Sequence, residues 1–216
     1  MFSSLWTACT TLLAPPGPAP SRAAPAPLSD SNSEDPRWQA RSPSARPSAS
    51  ASATRASCIF CDVTAASPGF AVVHEDAEFV VFWDRAPAAR VHLLAVPKTH
   101  VDSVKTLRGE DVGMLERMKG VGRRVLVEQG VPEGEQRLGF HIPPFFSVNH
   151  LHLHLLSLPL PFPGSIKYRP SIPSAPRSAR IKGFSWFVEV DQVIAILQAG
   201  QRVKVGSVKE SARPAR

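Results

Sequence analysis

Cysteine is scarce in this chain: three in 216 residues cannot build a disulfide framework. Long apolar runs are missing too, since none reaches the roughly 18 residues that a membrane span needs. The opening MFSSLWTACTTLLA is mildly apolar but lacks the basic start of a secretory signal. A transit peptide would share the scattered Arg, Ser and Ala that follow up to Arg55, but Asp30, Glu34 and Asp35 argue against one. The expectation is a cytoplasmic or nuclear protein with no membrane partner. Basic charge is missing from the middle of the chain, although the whole carries a formal +7. Residues 58–158 hold ten basic and twelve acidic side chains, and the excess sits in residues 159–216, with ten basic and three acidic. A specialised nucleic-acid binder needs a basic footprint on its domain, so nucleic acid is disfavoured as a partner.

What is abundant is proline, at twenty-two residues, most of them outside residues 58–158. Residues 1–57 form a Pro/Ala/Ser-rich arm that cannot bury enough apolar surface to offset its ordering entropy, and disorder is expected there. Residues 58–158 must supply the core, and roughly a hundred residues suffice for one. Residues 159–216 form a Pro-rich, basic C-terminal extension in which Phe184–Val190 suggests a short strand and Asp191–Gln198 a short helix capped by Asp191.

Within the core, Phe70–His74 and Glu78–Trp83 are β-branched and aromatic runs that predict a hairpin, and Val91–Val96 predicts a strand closed by Pro97. From Leu107 to Gly130 the period changes. Val112, Leu115, Met118, Val121 or Gly122, and Val125 recur at helical spacing, with Gly130 placed to end the helix. Gln136–His141 and Val148–Ser157 are the remaining strands, with a Pro-containing loop at Ile142–Ser147 between them. This order predicts an α+β fold: an antiparallel five-stranded sheet with one long and one short helix.

Four of the seven histidines lie between His141 and His154. In a strand over Val148–Ser157, His150, His152 and His154 share one face at about 7 Å spacing, while Leu151, Leu153 and Leu155 face a core. Such an array is a metal site, a nucleophile with its proton relay, or coincidence. A single His is most often a satisfied half-buried residue, but clustering at this density argues against coincidence.

The run H-L-H-L-H-L-L resembles the signature of the histidine triad superfamily of nucleotide hydrolases and transferases. FWDRAPAARVHLLAVPKTH is similar to that family's other blocks in order and spacing, and the likeness covers roughly residues 58–158. R-L-G-F-H-I-P-P-F-F-S-V-N-H looks most like the nucleotide-binding protein 3 branch, described as adenosine 5′-monophosphoramidases, with aprataxin-like domains the near alternative. The resemblance implies that His152 attacks the α-phosphorus of an adenosine phosphoramidate or aminoacyl-adenylate. An adenylyl-histidine then forms and is hydrolysed to AMP. It further implies that His154 hydrogen-bonds phosphate oxygens or the surroundings of the nucleophile, that His150 and His92 orient the nucleophile, and that Ser147 serves the phosphate or the leaving group. By the same resemblance Asp84 is expected to bind the ribose, with Arg85, His141 and Phe146 completing the nucleotide contacts. His141 stands where smaller members carry Asn. Neither a redox cofactor nor any cofactor for catalysis is implied, and two such units are expected to pair as a homodimer.

Cys58 and Cys61, as C-I-F-C, are either zinc ligands or two reduced residues at a domain edge. Several family members recruit the His after P-K-x and the first triad His, here His100 and His150, which would complete a structural zinc set. Trp186 and Phe187 either cover the leaving-group side or anchor the C-terminal strand. The stretch Pro170–Lys182 resembles an insertion, whose length suggests a flexible loop. Two rival functions remain. An aprataxin-like deadenylase of nucleic-acid ends would want a basic track and a second Cys/His cluster, and a non-catalytic nucleotide-binding scaffold would keep the pocket without turnover.

Overall fold

A computed structural model of the chain describes residues 58–145, 147–171 and 180–209. The expected arm at 1–57, Phe146 and most of the expected insertion lie outside the described residues. Strands β1 (Val72–Glu75) and β2 (Phe79–Trp83) form the anticipated hairpin. Asp76 closes it by accepting the Glu78 and Phe79 amides at 2.8 and 2.7 Å. After β3 (His92–Pro97) comes helix α1 (Val112–Glu128), which buries Leu115, Met118, Val121, Gly122, Val125 and Leu126. It starts at the first periodic residue, Val112, rather than at Leu107, because residues Gly109–Asp111 form a 3₁₀ turn, tied by the Asp111 carboxylate accepting the Arg108 amide at 2.7 Å. Gly130 follows its end at φ +74°, as a left-handed C-terminal residue should.

Strands β4 (Gln136–His141) and β5 (Leu153–Ser157) complete the predicted five. A sixth, β7 (Phe187–Glu189), pairs with residues 139–141 of β4, so the sheet runs β1-β2-β3-β5-β4-β7 with every pair antiparallel. Between β5 and β7 lie the single turn α2 (Gly164–Lys167) and β6 (Arg180–Lys182), and β6 pairs with β8 (Val208–Lys209) in a separate ribbon. Helix α3 (Val190–Gln198) begins one residue before the expected cap, with Glu189 as N-cap. Asp191 lies inside the first turn instead, because its carboxylate faces α1, 2.6 Å from Lys119 and 3.4 Å from Arg123. The C-terminal stretch therefore contributes a strand and a helix to the same core. Among the described residues no helix is long and apolar enough to cross a membrane.

Alternation sorts the sheet into two faces. Phe79, Val81, Leu93, Ala95, Leu138, Phe140, Leu153 and Leu155 pack in one core with α1 and α3. The opposite face receives His92 from β3, His154 from β5 and His141 from β4, one imidazole from each of three neighbouring strands. Their closeness follows from the register, in which His154 lies opposite both Leu94 and Gly139.

Strand β5 starts at Leu153 rather than Val148. Its ladder with β3 ends at Ala95–Leu153, and two residues further along β3 stands Pro97, which has no amide hydrogen to continue it. Leu151 instead donates its amide to the Val101 carbonyl at 2.7 Å. His150 is thereby released from the face it was expected to share.

Gly139 lets β7 dock. A β-carbon there would meet the Phe187 ring and the Val188 carbonyl, both at 2.5 Å, and a main-chain oxygen in a sheet cannot step aside. Gly139→Ala is expected to lower stability by about 2–3 kcal/mol through overpacking, measured by denaturant unfolding. A loss below about 0.5 kcal/mol would mean that β7 is not held there.

Candidate functional site

On the histidine-bearing face a cavity of about 810 Å³ opens, with Ile59, Phe60, Phe70, Phe82 and Leu94 forming its apolar wall. Asp84, Arg85, Ser147, His152 and His154 supply its polar side. The apolar wall comes from the C-I-F-C turn and from the outward positions of β2 and β3. Phe60, Phe70 and Phe82 pack edge to face with centroids 4.9–6.4 Å apart. An apolar slot with convergent polar groups at one end suits a planar heterocycle carrying a polar tail.

Behind the cavity three imidazoles form a continuous hydrogen-bonded chain, and its two backbone ends fix every tautomer. The Ala88 amide donates to His92 Nδ1 at 3.1 Å, so the His92 proton resides on Nε2. His92 Nε2–H donates to His154 Nδ1 at 3.0 Å, with the Asp84 carboxylate 3.2 Å away. His154 Nε2–H donates to His141 Nδ1 at 3.1 Å, and His141 Nε2–H ends the chain on the Lys167 carbonyl at 3.2 Å. An amide donor at one end and a carbonyl acceptor at the other leave one arrangement in which every nitrogen is satisfied, and in it all three rings are neutral. Burial points the same way. It pushes His92 down to about 4 against the pull of Asp84, pushes His141 down to about 4, and holds His154 well below the usual imidazole range.

His152 stands beside this chain, its ring centroid 5.1 Å from that of His154. Its Nδ1–H donates to the main-chain carbonyl of His150 at 2.6 Å, which leaves the lone pair on Nε2 of a ring that lines the cavity. Burial lowers its pKa, partly offset by the His150 carbonyl and by Asp84. A neutral imidazole with one committed nitrogen and one lone pair at a cavity wall is a competent nucleophile.

The site residues proposed from sequence therefore divide. Asp84, Arg85, Ser147, His152 and His154 meet at the cavity, with Asp84 also holding the Ala86 amide at 2.8 Å. Both nitrogens of His154 are bonded to neighbouring histidines, which of its two expected roles fits the one in the surroundings of the nucleophile. His141 lies on the far side of His154 from His92 and closes the chain. His150 turns its imidazole away, to Cys58 and Cys61, and its carbonyl accepts from His152. Tyr168 was not anticipated. This buried ring, 1% exposed, lies edge-on or tilted against His92, His141 and His154 at 4.9–5.3 Å. It follows a proline-rich stretch that offers no periodicity, and its one signal was being the only tyrosine in the chain. Phe187 packs on His141 and Tyr168, and Trp186 Nε1–H shares the Lys167 carbonyl at 3.1 Å, so both residues anchor the C-terminal strand against the chain of histidines.

A second cluster joins Cys58, Cys61, His100 and His150, whose donor atoms all lie within 4.8 Å of one another. Cys58 Sγ is 3.3 Å and Cys61 Sγ 3.7 Å from His150 Nδ1, and Cys61 Sγ is 3.2 Å from His100 Nδ1. The cysteines are not joined by a disulfide. Both imidazoles commit Nε2–H outward, His150 to the Pro97 carbonyl at 2.9 Å and His100 to the Asp102 carboxylate at 3.1 Å. Each thus presents Nδ1 as a lone pair, with the outer hydrogen bond that metal-binding histidines carry. Two sulfurs and two nitrogens at these separations fit a tetrahedral zinc ion, for which ligand–ligand edges of about 3.5 Å follow from the usual bond lengths.

Comparison with known proteins places this geometry in context. The family model "Scavenger mRNA decapping enzyme C-term binding" matches residues 57–168. The bifunctional adenosine 5′-phosphosulfate phosphorylase/adenylylsulfatase HINT4 of Arabidopsis thaliana is 40% identical over 96 residues, covering 44% of this chain and 65% of that protein. The adenosine 5′-monophosphoramidase HINT3 of Xenopus tropicalis is 42% identical over 97 residues, covering 44% of this chain and 63% of that protein. The match thus spans just under two thirds of either curated relative. Among solved structures, a HIT family hydrolase from Legionella pneumophila Philadelphia 1 is 29% identical, covering 50% of this chain and 98% of that one with a TM-score of 0.45.

Proposed function

Because this chain belongs to the histidine triad superfamily, through the scavenger decapping enzyme C-terminal family that it matches, we propose that it is a nucleotide hydrolase cleaving adenosine 5′-monophosphoramidates and aminoacyl-adenylates to AMP. The observation that carries this reading is the hydrogen bond from His152 Nδ1 to the His150 carbonyl, which leaves Nε2 as a lone pair at the cavity wall. His152 Nε2 forms a bond to the α-phosphorus as the bond to the leaving group breaks. In a phosphoramidate this is the phosphorus–nitrogen bond, and the amine departs with a proton drawn from solvent through the Ser147 hydroxyl. In an aminoacyl-adenylate it is a phosphorus–oxygen bond, and the aminoacyl carboxylate departs without one. The resulting adenylyl-imidazolium keeps its Nδ1–H on the His150 carbonyl. The nearby Asp84 carboxylate favours that positive charge. Water then displaces His152 from phosphorus and releases AMP. The adenine occupies the slot of Ile59, Phe60 and Phe82, and Asp84 accepts from the ribose hydroxyls. Incubating the full chain with an adenosine 5′-phosphoramidate and quantifying AMP and free amine tests this directly. No AMP above the uncatalysed rate would reject the hydrolase and leave a binding protein.

The Cys58, Cys61, His100 and His150 cluster is read as a structural zinc site, and the ion has no part in the bond-breaking steps. Elemental analysis of protein purified without chelator is expected to give about one zinc per chain, released by acid because thiolates and imidazoles take up protons in its place. Less than a tenth of an equivalent would reduce the two cysteines to edge packing. A cytosolic or nuclear setting, where thiols stay reduced, suits this cluster. A homodimer joined sheet to sheet would use one of the two outer edges of the sheet, at β1 or at β7.

A further inference from the structure

The turn Cys58-Ile59-Phe60-Cys61 serves two sites at once. Its ends face His150 and His100, while Ile59 and Phe60 between them wall the cavity. The Phe60 ring stands edge-on to both His150 and His152, at 6.2 and 5.7 Å between centroids. His150 is divided in the same way. Its imidazole Nδ1 faces the thiols and its Nε2–H holds Pro97, whereas its carbonyl accepts the His152 Nδ1–H at 2.6 Å. The cluster therefore reaches the cavity by two routes. One runs through a two-residue turn to the apolar wall. The other runs through a single carbonyl to the tautomer of His152.

We propose that the Cys58, Cys61, His100 and His150 cluster, loaded with a divalent cation such as zinc, is the positioning element of the nucleotide site, so that cation binding and adenosine nucleotide binding are thermodynamically linked. The inference rests on reading the cavity as an AMP site. A cation drawing Cys58, Cys61 and the His150 ring together fixes the approach of Phe60 and the direction of the His150 carbonyl in one step. Nucleotide seated against Phe60 and His152 then favours the same arrangement of ligands. Linkage makes the effect reciprocal: the factor by which zinc tightens AMP equals the factor by which AMP tightens zinc, expected here to be about tenfold.

The decisive experiment keeps the chain folded throughout. The full-length protein is loaded with Co²⁺, whose visible absorption reports the geometry of a tetrahedral thiolate–imidazole site, and titrated with AMP while binding is followed independently by calorimetry. The expected result is a change in the cobalt bands that saturates with the same midpoint as AMP binding. Zinc affinity measured by chelator competition should rise about tenfold at saturating AMP. A cluster that only staples the edge of the domain would leave the bands unmoved while calorimetry records AMP binding, and that result overturns the proposal but not the hydrolase reading. Failure of AMP to bind the loaded protein removes both, and failure of Co²⁺ to give a tetrahedral spectrum removes the linkage alone. Should the metal-free chain unfold, the cobalt bands still decide, because they are recorded on the loaded protein.

Discussion

Replacing His152 by Ala is expected to lower phosphoramidate turnover by at least about a thousandfold while AMP affinity stays within about tenfold. The asymmetry follows from where the two nitrogens of this ring go. Nδ1–H is spent on the His150 carbonyl, so Nε2 is the ring's one reacting atom, whereas most of the cavity wall belongs to other residues, Ile59, Phe60, Phe82, Asp84 and Ser147 among them. None of the histidines beside it can substitute. His92, His154 and His141 have both nitrogens engaged in the chain that runs from the Ala88 amide to the Lys167 carbonyl, and the His150 ring faces the thiols. Mass spectrometry after rapid acid quench should find the AMP adduct on His152 in the wild type and no adduct in the variant. Turnover retained at the wild-type rate, or an adduct on another side chain, would end the proposed mechanism. A fall in AMP affinity much beyond tenfold would mean that His152 holds the ground state, not only the reacting phosphorus.

How far the sequence foretold this site depends on which interactions are local. The alternation of Leu and His told correctly which face of β5 turns to the helices, because a period of two survives any detail of pairing. The helical stripe from Leu115 to Leu126 was equally legible. The start of β5 was not, because it depends on Pro97, a residue on a different strand that halts the ladder. The same long-range effect separates His150 from His152 and His154, and one strand of three histidines becomes two sites. Resemblance named His92 as an orienting partner, but the direction of the chain, with its proton positions set by Ala88 and Lys167, appears only when β3, β5, β4 and α2 come together. Tyr168 escaped notice because the segment that carries it is rich in proline and too short for periodicity. The short strand expected within Phe184–Val190 formed, but its pairing with β4 in the main sheet was not legible. Their places are set by packing against His141 and Gly139.

Acidification from pH 6.5 to pH 4 is expected to remove several kcal/mol of folding stability, largely through the same chain of histidines. His92 and His141 are pushed by burial from 6.5 to about 4. A base whose folded pKa lies below its unfolded value binds more protons when unfolded, so stability rises with pH between those values. The contribution is nil above about 6.5, where both states are neutral, and the loss is complete below about 4. Each histidine alone would account for about 3 kcal/mol over that window. Hydrogen bonding gives the cost its physical origin. A proton added to His92 Nδ1 would confront the Ala88 amide, and one added to His141 Nδ1 would confront the Nε2–H of His154. Metal loss in acid acts in the same direction, so the comparison must be internal. In His141→Asn, whose amide offers an acceptor to His154 and a donor to the Lys167 carbonyl without titrating, the decline between pH 6.5 and 4 should be shallower by about 3 kcal/mol in urea unfolding at matched metal content. If the wild type lost less than about 1 kcal/mol over that range, or if His141→Asn declined as steeply, the histidines would not be buried as a neutral chain, and the tautomer that leaves His92 donating to His154 would have to be abandoned.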